Sequence, residues 1–282
     1  SEIQTELQKI GYKTATSFEA SATGPSFSIL SNTNAVVVLS ENCTIDEYID
    51  RLLNGEKPAV CIAWKDGDTI YYFANGYTDK GNKIPLNPDS SYMFSPGSEK
   101  GSPIITQIDL NGFDTSNVTD MNHMFYNVSN VTALDLTGFN VKNLTNTSSM
   151  FETCYYLQRI YVKPGTDWSV TGKVTESTRM FFNSPYLKSR PNGSQDVGTS
   201  GKGIEYARIY GLKGNNKGYF TDINTKPALN RIELDTTNAI KEYFRGATLF
   251  TDGLIITAYY KDGNGTESSK NITTGFETSY DF

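Results

Sequence analysis

One histidine, three cysteines and two tryptophans are spread over 282 residues, and each scarcity removes a kind of chemistry. A Ser-His-Asp relay needs its histidine beside a serine nucleophile. Nothing around the single histidine, His123, marks such a serine. No Cys-x-x-Cys or His-x-x-x-His pair occurs, so zinc sites with those ligands have no support. No metal and no cofactor is expected. Cys154 stands where the preceding repeat has Val128 and reads as a small buried hydrophobe. Cys43 and Cys61 could pair only if the fold brings their Cα atoms within bonding range.

Long apolar runs are also missing. None approaches 18 residues, so no segment reads as membrane-spanning. Positive charge is in short supply, with 25 Lys and Arg against 31 Asp and Glu and a net charge of −6. No stretch is basic enough to seek nucleic acid or an anionic membrane surface. The chain begins at Ser1 without a charged-then-apolar leader, which a secreted protein would have lost. Abundant Asn, Thr, Ser, Gly and Tyr suit an extracellular protein without fixing the compartment.

What the chain does have is a period. A shift of 26 residues lays Phe113 on Phe139, Val118 on Leu144, Met124 on Met150 and Phe125 on Phe151. The preceding runs superpose too: Ile105, Ile108 and Leu110 fall on Val131, Leu134 and Leu136, then on Leu157, Ile160 and Val162. A further Met-Phe pair, Met180-Phe181, arrives four residues late, with an insertion near Pro164-Gly165-Thr166. Such a period signals stacked units.

Each unit predicts a short strand followed by two helical turns, because Val118, Met121, Met124 and Phe125 share one face at helical spacing. One unit buries too little to fold alone, so the units are expected to stack as a solenoid. If Ile108 and Leu110 point inward, Asp109 points out, and its counterparts are Asp135 and Tyr161, flanked by Arg159 and Lys163. Asp109, Asp135, Arg159, Tyr161 and Lys163 are therefore the candidate ligand-binding residues. A plain solvated sheet face is the competing reading. Asp109 through Asp114 hints at a calcium loop, but the next copy loses two of its oxygen donors and no closing Glu follows.

Outside the repeats, Thr44-Ile-Asp-Glu47 reads as a capping box opening a helix that stops at Asn54-Gly55. Asp66-Gly67-Asp68 reads as a hairpin between two apolar strands. Residues 191–203 read as a loop, and Thr225-Lys-Pro227 marks a boundary.

The stretches GFDTSNVTDMNHMF and LDLTGFNVKNLTNTSSMFETC resemble the 26-residue repeats of BspA-like leucine-rich-repeat surface proteins of bacteria. The likeness covers roughly residues 84–190. YFRGATLFTDGLIITAYYKDGNGTE resembles bacterial Ig-like domains over residues 229–282. The chain stops before the last strands such a sandwich needs, so a fragment of a longer protein or a half-domain is expected.

These resemblances imply a mainly β chain with short helices: a capped, right-handed LRR-like α/β solenoid and a C-terminal Ig-like β-sandwich. The expected domains are 1–94 (N-terminal region and cap), 95–224 (repeats and closing strands) and 225–282 (sandwich). The implied role is a non-enzymatic protein, secreted or on the bacterial cell surface and part of a longer anchored chain. It would bind a host extracellular-matrix or cell-surface protein or a glycan. A structural spacer is the alternative, and a carbohydrate-active enzyme the third.

Overall fold

The computed structural model describes residues 2–32, 34–39, 43–97, 104–188, 202–209, 217–238, 254–262 and 265–272. The chain divides into two compact units, Ser1–Ile223 and Asn224–Phe282.

The first unit opens with α1 (Glu2–Lys9), which buries Ile3 and Leu7. Then come β1 (Ser17–Ala20), α2 (Phe27–Leu30) and β2 (Val36–Val38). In α3 (Ile45–Leu53) the expected capping box forms. The Thr44 hydroxyl accepts from the Glu47 amide at 3.2 Å and the Glu47 carboxylate accepts from the Thr44 amide at 2.8 Å. At its other end the Glu56 amide reaches back to the Arg51 carbonyl and Gly55 to Leu52, with Gly55 at φ 81°. This is a Schellman closure, which needs a residue that tolerates the left-handed region.

β3 (Ile62–Asp66) and β4 (Thr69–Phe73) form the expected hairpin around Gly67-Asp68. β1 then pairs in parallel with β4 on one side and with β6 (Gln107–Ile108) on the other, giving a five-stranded sheet ordered β2-β3-β4-β1-β6. The N-terminal strand therefore lies inside the sheet. Its Phe18 ring stacks on Tyr72 at 4.9 Å and meets Phe94 edge-on at 5.1 Å. The Tyr12 hydroxyl donates to the Phe94 carbonyl at 2.9 Å.

Three small parallel pairings complete this unit. β5 (Ile84–Pro85) pairs with β7 (Phe113–Asp114). β8 (Ala133–Asp135) pairs with β9 (Arg159–Val162), and β9 with β10 (Phe220–Asp222). Between β9 and β10 the Asp167 side chain caps the short α4 (Trp168–Thr171).

The LRR-like solenoid expected from the sequence is not what these residues make. The structure is mainly β, in several small sheets, none closed and none taking in all the units. Helices are few and short among the described residues, and none carries a Met-Phe pair. The helical spacing of Val118, Met121, Met124 and Phe125 is that of a chain of turns. His123, Ser149 and Arg179, two residues ahead of the phenylalanine in each copy, take φ of 55–58°, as does Tyr92 at 57°. Asn127, Thr153 and Asn183, two residues after it, take φ of 54–60°. A left-handed residue on either side of the pair cannot continue a right-handed helix.

The turns instead hydrogen-bond from one copy to the next. Phe94 donates to Met124, Phe125 to Met150 and Phe151 to Met180, at 2.8–3.0 Å. Tyr92, His123 and Ser149 do the same to Asn122, Ser148 and Thr178 at 2.9 Å. These cross-copy bonds use amides that a helix would have kept to itself. Asp89, Asp120 and Asn146 each accept from an amide two residues on and close their own turns. Rings follow the same ladder: Phe94, Phe125, Phe151 and Phe181 stack at 5.5–5.6 Å with interplanar angles of 3–11°. Phe18 stands edge-on at one end and Tyr219 lies tilted by 53° at the other.

In the second unit β11 (Ala228–Asp235), β12 (Ile255–Lys261) and β13 (Glu267–Ile272) form one antiparallel sheet. The expected Ig-like sandwich needs two packed sheets. Among the described residues there is one, and Ala258 is the buried apolar residue on it. The Tyr243-Phe-Arg-Gly and Asp252-Gly portions of the motif lie outside the described residues, as do 191–201 of the expected loop and the closing Tyr280-Asp-Phe282.

Candidate functional site

The β8-β9-β10 sheet sets the geometry of the expected ligand-binding residues. Its parallel register places Ile160 between Leu134 and Phe220, all buried in the core. The pleat turns the next row to the opposite side: Asp135, Tyr161 and Thr221. Asp135 and Tyr161 are thus adjacent, and Arg159 lies one pleat before Tyr161. Lys163 is exposed just beyond β9.

Asp109 does not join this row. Its segment is held by β1 in the five-stranded sheet, where the Asp109 amide donates to the Phe18 carbonyl at 2.8 Å. The expected column of Asp109, Asp135 and Tyr161 is therefore broken at its first member. The Thr106 amide donates to the Thr16 carbonyl as the Gln158 amide does to that of Thr132, so β1 stands where a preceding copy would, while β6 and β8 lie in different sheets.

Asp109 and Asp135 share one local role. Each carboxylate accepts from the amide two residues on, at 2.9 Å in Asn111 and 3.0 Å in Thr137. Asp135 also accepts from the Thr137 hydroxyl at 2.6 Å. Part of their hydrogen-bonding capacity thus holds turns.

The rest of the row is more enclosed than a solvated sheet face. Tyr161 is 9 % exposed and Thr221 7 % exposed. Burial raises the Tyr161 phenol above its usual range, Arg159 pulls it down and Asp135 adds to the rise. Burial lowers the Arg159 guanidinium, and Tyr161 opposes that shift. The Thr221 hydroxyl is buried without a hydrogen-bond partner. Buried polar groups are nearly always paired, and this hydroxyl is one of the exceptions among the described residues.

Other reactive groups are quiet. Cys43, Cys61 and Cys154 are not joined in disulfides. Burial pushes Cys61 and Cys154 up to about 12, which keeps them protonated and poorly nucleophilic. Cys154 donates to the Phe125 carbonyl at 3.0 Å and so serves the ladder. A cleft of about 850 Å³ lies between α1, β2 and the start of α3, lined by Glu2, Glu6, Lys9, Val38, Cys43 and Ile45 among others. None of the expected ligand-binding residues lines it. Burial, then Glu47, raises the Cys43 thiol there. Among the described residues no group of three His, Cys, Asp or Glu side chains could hold a metal ion, and no helix is long and apolar enough to cross a membrane.

Two aromatic groups escaped the sequence reading. The His123 ring stacks on Tyr92 at 4.5 Å and 8°, and contacts Tyr126. Beside it Glu152 makes a bidentate pair with Arg179, whose guanidinium also lies 3.9 Å from the Phe182 ring centre. Further along the turns, Tyr155, Tyr156 and Tyr186 meet one another at 5.0–5.8 Å on the surface. The adjacent tyrosines at 155 and 156 were visible in the sequence. Their partner was legible too, since Tyr186 follows Tyr156 by the same thirty residues that separate Met180 from Met150.

The segment that carries the ladder of turns is also the one with a known counterpart. Residues 91–193 match a family described as Mycoplasma protein of unknown function, DUF285. The match begins at the first Met-Phe turn and ends before the second unit. No curated protein and no solved structure matches the chain.

Proposed function

We propose that this chain is a non-enzymatic bacterial surface module, similar in its repeats to BspA-like proteins. In this reading it lies outside the cell and binds a host or cell-surface protein or glycan through the Asp135, Tyr161 and Thr221 row and its neighbour Arg159. The observation that carries the reading is the row itself, with Asp135, Tyr161 and Thr221 side by side on the face turned from the core and Arg159 two residues before Tyr161. The Mycoplasma family match over the ladder supports a bacterial setting. The ladder itself supplies a rigid support, which lowers the ordering cost of binding.

The test uses immobilised matrix proteins and a glycan array, with the chain carrying Arg159→Ala or Thr221→Val. Binding to at least one ligand, weakened about tenfold or more by either change, is the expected result. Thr221→Val alone should leave the fold as stable or stabilise it by about 1 kcal/mol, because an unpaired buried hydroxyl is removed. Binding indifferent to both substitutions would sink this site.

One observation favours a second reading, a spacer with no ligand of its own. The Asp135 carboxylate is engaged in closing its own turn, as expected of a residue kept for backbone geometry. Absence of binding in every format would decide for the spacer.

A further inference from the structure

The three surface tyrosines form a platform that the Asp135 row does not include. Tyr155, Tyr156 and Tyr186 are 41 %, 49 % and 38 % exposed, unusually open for large aromatic side chains. Tyr156 and Tyr186 lie one turn of the ladder apart with their rings 5.8 Å apart and inclined by 26°. Tyr155 stands nearly perpendicular to Tyr156 at 85° and is steeply inclined to Tyr186 at 68°. Edge contacts of this kind are a favoured aromatic arrangement. They fix a corner in which ring faces and ring edges are both presented outward.

Position in the ladder shows that the platform is local. Tyr155 and Tyr156 replace Ser129 and Asn130 of the previous copy, and Pro185 and Tyr186 follow in the next. The aromatic column therefore appears only in the last two turns, and backbone bonds hold it there. The Tyr156 amide donates to the Ser129 carbonyl at 3.0 Å, and the Lys188 amide to the Gln158 carbonyl at 3.1 Å.

Charge then selects the ligand. Residues 127–132, 153–158 and 183–188, which carry the platform and its flanks, include Asn, Ser, Thr and Gln side chains and one charge, Lys188. Nucleic acid and acidic peptides are recognised through several cations, which this surface lacks. Neutral sugars ask for something different. The C–H face of a pyranose ring carries slight positive charge and sits against the negative face of an aromatic ring. Its hydroxyls are met by uncharged amides and hydroxyls. We infer that the Tyr155, Tyr156 and Tyr186 platform is a subsite for neutral hexopyranose units of a polysaccharide. This deepens the surface-binding reading by naming a ligand class, and does not depend on the Asp135 row.

Calorimetric and NMR titration of the whole chain with cellohexaose, N-acetylchitohexaose and mannohexaose tests it. At least one of these should bind. Tyr156→Ala and Tyr186→Ala should each weaken that binding about tenfold or more, and Tyr156→Phe should stay within about threefold, because the ring face and not the hydroxyl makes the contact. The residues are exposed, and unchanged thermal unfolding checks that the variants fold. Chemical-shift changes centred on Tyr155, Tyr156 and Tyr186 separate this site from the Asp135 row, and changes centred on Tyr161 instead would overturn the inference. The inference is overturned if none of the three saccharides binds, if binding survives both alanine substitutions, or if a proline-rich peptide and no saccharide occupies these rings.

Discussion

The ladder of Met-Phe turns and the five-stranded sheet share one hydrophobic core, yet they are held together in opposite ways. In the ladder each phenylalanine ring stacks on its counterpart 26 to 31 positions away, and amides reach carbonyls 25 to 30 positions on. In the sheet, β1 is clasped by β4 and β6, about 50 and 90 residues further along the chain. The first arrangement repeats a modest closure many times. The second closes large loops once, at a larger entropic cost. Phe18 and Phe94 meet where the two arrangements join.

Substitutions at that junction and inside the ladder should separate the two. The largest effect is expected from Phe18→Ala, which removes contacts to Tyr72, Phe94 and Phe113 together. It should cost about 3–5 kcal/mol in urea unfolding. Hydrogen exchange should quicken at Phe94 and Phe125 as well as in β4. If only β4 loosened, sheet and ladder would be independent bodies.

A smaller change of opposite sign is expected at Thr153. It holds φ 60° between counterparts that are both asparagine, Asn127 and Asn183. A β-branched residue is strained in the left-handed region, where asparagine is tolerated. Thr153→Asn should therefore stabilise the chain by about 1 kcal/mol, read as a raised urea midpoint. A loss of stability would show that the ladder does not treat its turns as equivalent.

The smallest effect is a pH slope. Burial lowers the His123 imidazole below its usual value, against the pull of Glu152 and Asp120. The unfolded chain then holds more proton than the folded one between the lowered value and 6.5. Stability is complete above about pH 6.5 and declines as the pH falls through that point. His123→Asn, which keeps a residue suited to φ 55°, should flatten the decline between pH 6.5 and 5. An unchanged slope in the variant would assign it to other groups.

The same contrast explains what could be read from the residues alone. Met124, Phe125, Met150 and Phe151 announced their counterparts because repetition makes the partner visible. The helix read into them was wrong because left-handed turns at His123 and Ser149 can carry the same apolar spacing as two helical turns. Polar residues at fixed offsets from each phenylalanine, Asn127 and Asn183 among them, were the available sign of turns. The Thr44 cap and the Gly67 hairpin were legible because their determinants lie within a few residues. The pairing of β1 with β6 was not, since two short apolar strands carry no address for each other. Asp109 lies outside the expected row because β6 and β8 belong to different sheets. Thr221 was likewise missed because it reaches Tyr161 only through tertiary register.

The phenylalanine stack ends at both extremities in a ring set at an angle, Phe18 at one and Tyr219 at the other. Every interior ring meets a copy of itself. The two angled rings close the outer faces of the stack, so it offers no flat ring on which a second chain could continue it.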